Sequence, residues 1–257
     1  MSSLKEVFNK KAFIAFVTAG DPDLDSTVIF IDKMIEAGVS LIEIGIPFSD
    51  PIAEGSVITK ADIRALASGT TTDKIFDMIK VVRKKHPDFP MVFMTYLNPV
   101  FSYGYDKFFK KSKELNMLGI IIPDMPYEEK KEAVKYASKY NQDVISLIAP
   151  TSENRIKMIA SDASGFIYLV SSLGVTGVRN EFKFDLKEIV NEIKKYTDVP
   201  VAIGFGISKP EHVSKMCSFS DGAIVGSAIV RIIEEYGKNA GEYIYDFCKS
   251  MVEATKI

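Results

Sequence analysis

Eight short runs rich in Ile, Val and Phe, separated by longer amphipathic segments, constrain this chain's fold more than any other feature. They are Phe13 to Thr18, Leu41 to Ile46, Met91 to Tyr96, Gly119 to Pro123, Val144 to Ala149, Phe166 to Val170, Val201 to Gly204 and Gly222 to Val225. Near-continuous apolar runs of this length suit parallel strands covered on both faces. Between them, apolar residues recur three and four apart, the helical period. Leu186, Ile189, Val190 and Ile193 form one stripe, and Ala133, Val134, Ala137 and Tyr140 another. Ser208-Lys209-Pro210-Glu211 has the form of a capping box with Pro in the first turn, and Asp185 precedes a stripe as an N-cap. Eight strand–helix units in 257 residues predict an α/β fold, a (β/α)8 TIM barrel forming a single domain over residues 1–257. A doubly wound open sheet also alternates β and α and is the competing topology. By analogy with the barrel fold, Leu4 to Asn9 forms a short N-terminal helix plugging the barrel bottom.

Charge and cysteine content exclude several classes. The 32 Lys+Arg against 34 Asp+Glu leave a net charge of -2, so the basic field of a nucleic-acid binder is missing. No apolar run approaches the roughly 20 residues of a membrane span. Met1-Ser2-Ser3-Leu4-Lys5 lacks the apolar core of an export signal. Cys217 and Cys248 lie far apart without metal-ligand spacing and read as reduced thiols of a cytoplasmic protein. His86, at a Lys-rich helix end, and His212, in a capped helix, read as surface residues rather than metal ligands.

Glu43 interrupts an otherwise apolar strand. Period-two alternation sets Ile42, Ile44 and Ile46 on one face and Glu43 and Gly45 on the other. A buried ionised Glu is costly, so Glu43 lines a cavity, finds a partner, carries a shifted pKa, or faces water at a strand edge. Two connections exceed what a βα loop needs. One follows Glu43 and contains Pro47, Pro51, Glu54 and Gly55; the other runs from Ser171 to Phe182. Both follow strands, the end where barrels place active sites. The second reads as a lid or as a surface loop without a role. Gly204-Phe205-Gly206-Ile207-Ser208 and Gly222 to Ile229 close the seventh and eighth strands with glycine-bearing turns. A single such turn needs only positive φ, but two at adjacent strand ends point to a phosphate site, with Ser227 as a hydroxyl donor. Acidic residues facing a phosphate grip outline acid–base chemistry on a small phosphorylated substrate.

Five blocks then carry a resemblance: Phe16-Val17-Thr18-Ala19-Gly20-Asp21-Pro22, Leu41 through Pro51, Met94-Thr95-Tyr96-Leu97-Asn98-Pro99-Val100-Phe101, Gly174-Val175-Thr176-Gly177 and Gly204-Phe205-Gly206-Ile207-Ser208. In this order they resemble the tryptophan synthase alpha chain family, from Phe13 to about Ile233. The resemblance implies a lyase splitting indole-3-glycerol phosphate by retro-aldol cleavage into indole and glyceraldehyde 3-phosphate, without metal or cofactor. Its partner would be a tryptophan synthase beta chain, which alone carries pyridoxal phosphate and receives the indole. Glu43 matches the glutamate that moves a proton between indole C3 and the glycerol hydroxyl, with Gly45 leaving it room. Glu54 matches the acid attending the indole N–H, where the family usually has aspartate. Ser56 replaces a common proline, and Ser172 stands where many members have arginine. Gly177, Phe205, Gly206, Gly226 and Ser227 match phosphate-binding positions, and Thr176 the lid threonine. Phe16, Leu97, Ile121, Ile148 and Tyr168 would surround the indole. Asp50, Pro51, Asn98, Pro99, Asp124 and Pro126 fall on beta-chain contact segments; from its setting alone, Asp124 reads as a helix-start residue. Three other readings remain: a subunit that chiefly regulates its partner, a free-standing indole-producing lyase, and another phosphate-sugar barrel, although no strand carries the inward Lys of an imine-forming aldolase.

Overall fold

The computed structural model describes residues 4–150, 153–171, 185–204 and 206–256. Eight parallel strands close into a barrel in chain order: β1 (Ala12–Thr18), β2 (Leu41–Gly45), β3 (Met91–Met94), β4 (Gly119–Ile121), β5 (Asp143–Ile148), β6 (Ile167–Val170), β7 (Val201–Gly204) and β8 (Gly222–Val225). β8 pairs with β1, with Ile14 beside Ile224, so the sheet is closed and the open doubly wound alternative falls.

The helices before β5 are α1 (Leu4–Val7), α2 (Leu24–Glu36), α3 (Ser56–Ala67), α4 (Thr72–Lys85), α5 (Leu97–Tyr103), α6 (Tyr105–Glu114) and α7 (Lys130–Lys139). After it come α8 (Glu153–Ser161), α9 (Leu186–Lys194), α10 (Pro210–Cys217), α11 (Ser227–Tyr236) and α12 (Gly241–Glu253). The crossovers following β2 and β3 each hold two helices, because those connections are longer than one barrel helix fills.

Strand alternation builds two apolar layers. Ile14, Phe16, Leu41, Val92, Met94, Ile121, Phe166 and Ile224 fill the barrel, while Phe13, Ile42, Ile44, Phe93, Ile120 and Ile203 face the helices. At the end where the strands begin, Leu4 packs into the inner layer and the Phe8 ring lies 5.5 Å from that of Phe166. The expected plug is therefore present, with its helix ending at Val7.

Asp185 caps α9, its carboxylate accepting from the Lys187 and Glu188 N–H groups at 2.9 and 3.4 Å. The expected box at Ser208 does not form. α10 starts at Pro210, and Lys209 before it is extended (φ -137°, ψ 152°), the conformation a following proline imposes. This pushes Ser208 one residue outside the cap, where its N–H donates to His212 Nδ1 at 3.4 Å. Among the described residues no helix is long and apolar enough to cross a membrane.

Candidate active site

β2 carries Glu43 into the barrel, beside Phe16 of β1 and Val92 of β3. Its residue exposure is 1%, and neither carboxyl oxygen has a hydrogen-bond partner among the described residues. Burial pushes it up to about 8, because an unpaired carboxylate away from water is unfavourable and the group keeps its proton instead. The water-facing reading is excluded. Burial thus holds Glu43 toward its protonated form, with both oxygens unengaged by any described residue.

Glu54 lies on the loop just before α3. Burial pushes it up to about 7, against the pull of a hydrogen bond with Asp62. Its Oε2 is buried without a partner. Asp62, on α3, is 4% exposed and is pushed up to about 9, first by burial and then by the charge and hydrogen bond of Glu54. Two buried carboxyls in contact cannot both ionise cheaply, so the pair holds one proton near neutral pH. The sequence reading did not single out Asp62. Its signal was an acid on the apolar stripe of a helix, flanked by Ile58, Ala61 and Ala65, all buried.

The same loop has a second tether. Its Ala53 N–H donates to Tyr96 Oη at 3.0 Å, and the Tyr96 ring lies 5.4 Å from that of Phe48. Burial, and then the Glu54 charge, hold the Tyr96 phenol well above its ordinary pKa.

One cavity of about 460 Å³, counting the part open to solvent, gathers much of this chemistry. Phe16, Glu43, Glu54, Tyr168, Gly206, Gly226 and Ser227 line it, together with Ala53, Ile58, Met94, Ile207 and Ile224, which sequence reasoning had not marked. Tyr168 is raised well above its ordinary pKa by burial and by neighbouring Glu43. After β8, α11 begins at Ser227 with no acidic residue in its first turn. The N–H groups that open a helix lack intrahelical acceptors and favour an anion. Gly206 adopts φ +75° and a Cβ there would meet nothing within 4 Å, so the turn's backbone, not crowding, requires this glycine. A Cβ at Gly45 would come within 2.6 and 2.8 Å of the Phe16 ring, so the missing side chain makes room for Phe16.

A sequence model described as Tryptophan synthase alpha chain matches residues 1–256. The chain belongs to the tryptophan synthase alpha chain family. It is 50% identical over 252 residues to the Tryptophan synthase alpha chain of Lacticaseibacillus casei, covering 98% of this chain and 94% of that one. A solved structure from Aquifex aeolicus superposes with a TM-score of 0.90 at 34% identity, covering 99% of both chains. A chain of the tryptophan synthase complex from Pyrococcus furiosus gives 0.85 at 35%, covering 94% of this chain and 98% of that one.

Among the positions matched to the tryptophan synthase alpha chain, two are corrected by the fold. Ile148 faces the helices, because Ile145 and Leu147 take the inward positions of β5 and period-two alternation turns Ile148 outward. Leu97 opens α5 and packs against the outer layer. Ile121, as expected of an indole-side residue, points into the barrel in the inner layer that also holds Phe16, Met94 and Tyr168. Gly177, Thr176, Phe205 and Ser172 lie outside the described residues.

Asp50, Pro51, Asn98, Pro99, Asp124 and Pro126 all sit on connections leaving β2, β3 and β4, adjacent strands whose C-terminal ends form one rim beside the Glu54 loop. Exposed Ile52 (73%) and Phe101 (66%) add apolar surface to these connections. Asp124 does not start its own helix. Its Oδ1 accepts the Leu97 N–H at 2.8 Å, binding the loop after β4 to the first turn of α5. Among the described residues no group of three His, Cys, Asp or Glu could hold a metal, and His86 instead pairs with Asp32, Nε2 to Oδ1 at 2.7 Å.

Proposed function

We propose that this cavity performs the family's lyase reaction, cleavage of indole-3-glycerol phosphate, with Glu43 as the proton shuttle and Glu54 as its partner acid. The observation that carries the reading is a buried carboxyl, Glu43, whose two oxygens have no partner among the described residues, sharing one cavity with Glu54 and with the glycine turns of β7 and β8. Glu43 gives its proton to indole C3, which converts the ring to an electron sink. The resulting carboxylate takes the proton of the glycerol hydroxyl, and the bond between C3 and the glycerol carbon breaks with its electrons returning to the ring. Indole and glyceraldehyde 3-phosphate leave, and Glu43 is again protonated. A group with a pKa near the working pH is suited to give and take in one cycle.

Glu54 Oε2 accepts the indole N–H, which grows more acidic as positive charge builds on the ring. The phosphate sits at Gly206, Gly226 and Ser227, held by helix-opening N–H groups and a hydroxyl. Phe16, Met94 and Tyr168 form the walls around the indole. Proton transfer within the pair of Glu43 and substrate balances without a cofactor on this chain. Pyridoxal phosphate belongs to a beta chain docked on the rim of Asp50, Asn98, Pro126, Ile52 and Phe101, in the cytoplasm where Cys217 and Cys248 stay reduced.

The test is indole release by the purified chain, alone and with a beta chain, from indole-3-glycerol phosphate and from its dephosphorylated form. Release that drops at least tenfold without the phosphate group supports the reading. No release from the phosphorylated substrate under either condition overturns it.

A further inference from the structure

Asp62 is a buried acid that the reaction does not consume, set on a helix whose other inward residues are apolar. It touches both ends of the loop that carries Glu54. Its carboxyl accepts the Phe48 backbone N–H just after β2, and it hydrogen-bonds Glu54 just before α3. Glu54 lines the cavity, and its Oε2 is buried there with no hydrogen-bond partner among the described residues. We propose that Asp62 is a positioning residue for the cleavage: in contact with Phe48 at one end of the loop and with Glu54 at the other, it holds the loop shut and aims the Glu54 carboxyl at the substrate's N–H. The inference rests on the proposed lyase reading for its kinetic consequence, but the clasp itself is independent of any substrate.

The geometry explains why a glutamate works at this position. Its carboxyl reaches farther than that of an aspartate, and a second acid fixed on α3 gives the longer side chain one orientation to adopt. Misplacement of a reacting group by about 1 Å can cost of order a hundredfold in rate, so such a clasp has a kinetic effect. Other ionisable groups facing the pair are Asp21, whose charge acts on Asp62, and Tyr96, on which both acids act. Arg64 binds Asp21 through Nε and Nη2 at 2.7 and 2.8 Å. No cation bonds the pair directly among the described residues, which leaves the shared proton as its linkage. Once that proton is lost, two adjacent carboxylates repel and the loop is released.

The experiment compares wild type, Asp62→Asn and Asp62→Ala, with circular dichroism confirming the fold. Asn keeps an N–H donor for Glu54 but cannot titrate, whereas Ala removes the donor. Ala is expected to lower kcat about tenfold or more, a loss of ~1.4 kcal/mol or more in transition-state stabilisation. Asn is expected to restore most of that loss. Wild-type kcat is expected to fall as pH rises through about 8, where Glu43 loses its proton, and more steeply above about 9, where the last proton leaves the pair; Asn is expected to remove only the second, steeper part. Infrared difference spectra provide an arm without substrate: a protonated-carboxyl band present at about pH 8 in Glu43→Gln protein, above the value of Glu54 and below that of Asp62, should be lost when Asp62→Asn is added. A correctly folded Ala variant with wild-type kcat, equal losses in Asn and Ala, or a band that survives Asp62→Asn would each overturn the proposal. If wild type releases no indole, the lyase reading fails while the infrared arm still decides the clasp.

Discussion

Replacing Glu43 by Met should stabilise the protein, and by an amount that depends on pH. Glu43 is 1% exposed, has no partner on either oxygen, and is pushed from the ordinary 4.5 up to about 8. Between these two values the folded chain holds a proton that the unfolded chain has released. The unfolded state then binds fewer protons, so stability falls as pH rises, by up to ~1.4 kcal/mol per pH unit. Integrated from about pH 5 to about pH 9, the wild type loses roughly 4 kcal/mol through this one group. Met fills a similar volume and does not titrate. Glu54 and Asp62 are raised in the same direction, but both remain in the variant and cancel in the comparison. Urea unfolding followed by circular dichroism, extrapolated linearly to water, measures the difference at each pH. The advantage of Glu43→Met over wild type should be roughly 4 kcal/mol larger at about pH 9 than at about pH 5. An advantage independent of pH would refute the claim that Glu43 is buried, unpaired and neutral.

Gly45→Ala should push the Phe16 ring toward the cavity, since a Cβ would sit 2.6 Å from it. Overpacking of this kind costs about 1–3 kcal/mol, read by thermal or urea unfolding, and a ring displaced into the indole space should raise KM more than it lowers kcat. Arg64→Leu leaves the fully buried Asp21 carboxylate without its two-pronged partner. The expected loss is about 3 kcal/mol, and the double variant Asp21→Asn/Arg64→Leu should recover much of it in the same urea assay.

The barrel was legible because each strand announced itself by composition. The runs at Val201 to Gly204 and Gly222 to Val225 match β7 and β8 to the residue, and the others differ only at their ends. Alternation set Glu43 on the face opposite Ile42, Ile44 and Ile46, and the closed sheet then turned that face into the barrel. Alternation also decides against Ile148, but only once the phase of β5 is known, and its run of Val144 to Ala149 is apolar on both faces and hides that phase. Asp62 was missed because a single acid on a helix reads as solvated surface unless the helix's buried face is known. Its partner Glu54 lies eight residues earlier, across a loop whose path the sequence does not specify. Asp124 was misjudged for a related reason: the helix it serves is α5, which precedes it in the chain. What pattern reading misses are contacts between loops, where no period links the partners.

The most direct measurement is kcat for indole release from indole-3-glycerol phosphate by Glu43→Gln, beside wild type and under saturating substrate. Gln preserves the size of the side chain and removes the exchangeable carboxyl proton, so loss confined to kcat isolates proton transfer. If Glu43 is the shuttle, kcat falls at least about a hundredfold, the scale of general acid–base catalysis, while the variant stays folded and KM changes little. A folded Glu43→Gln chain that releases indole at close to the wild-type rate would contradict that role.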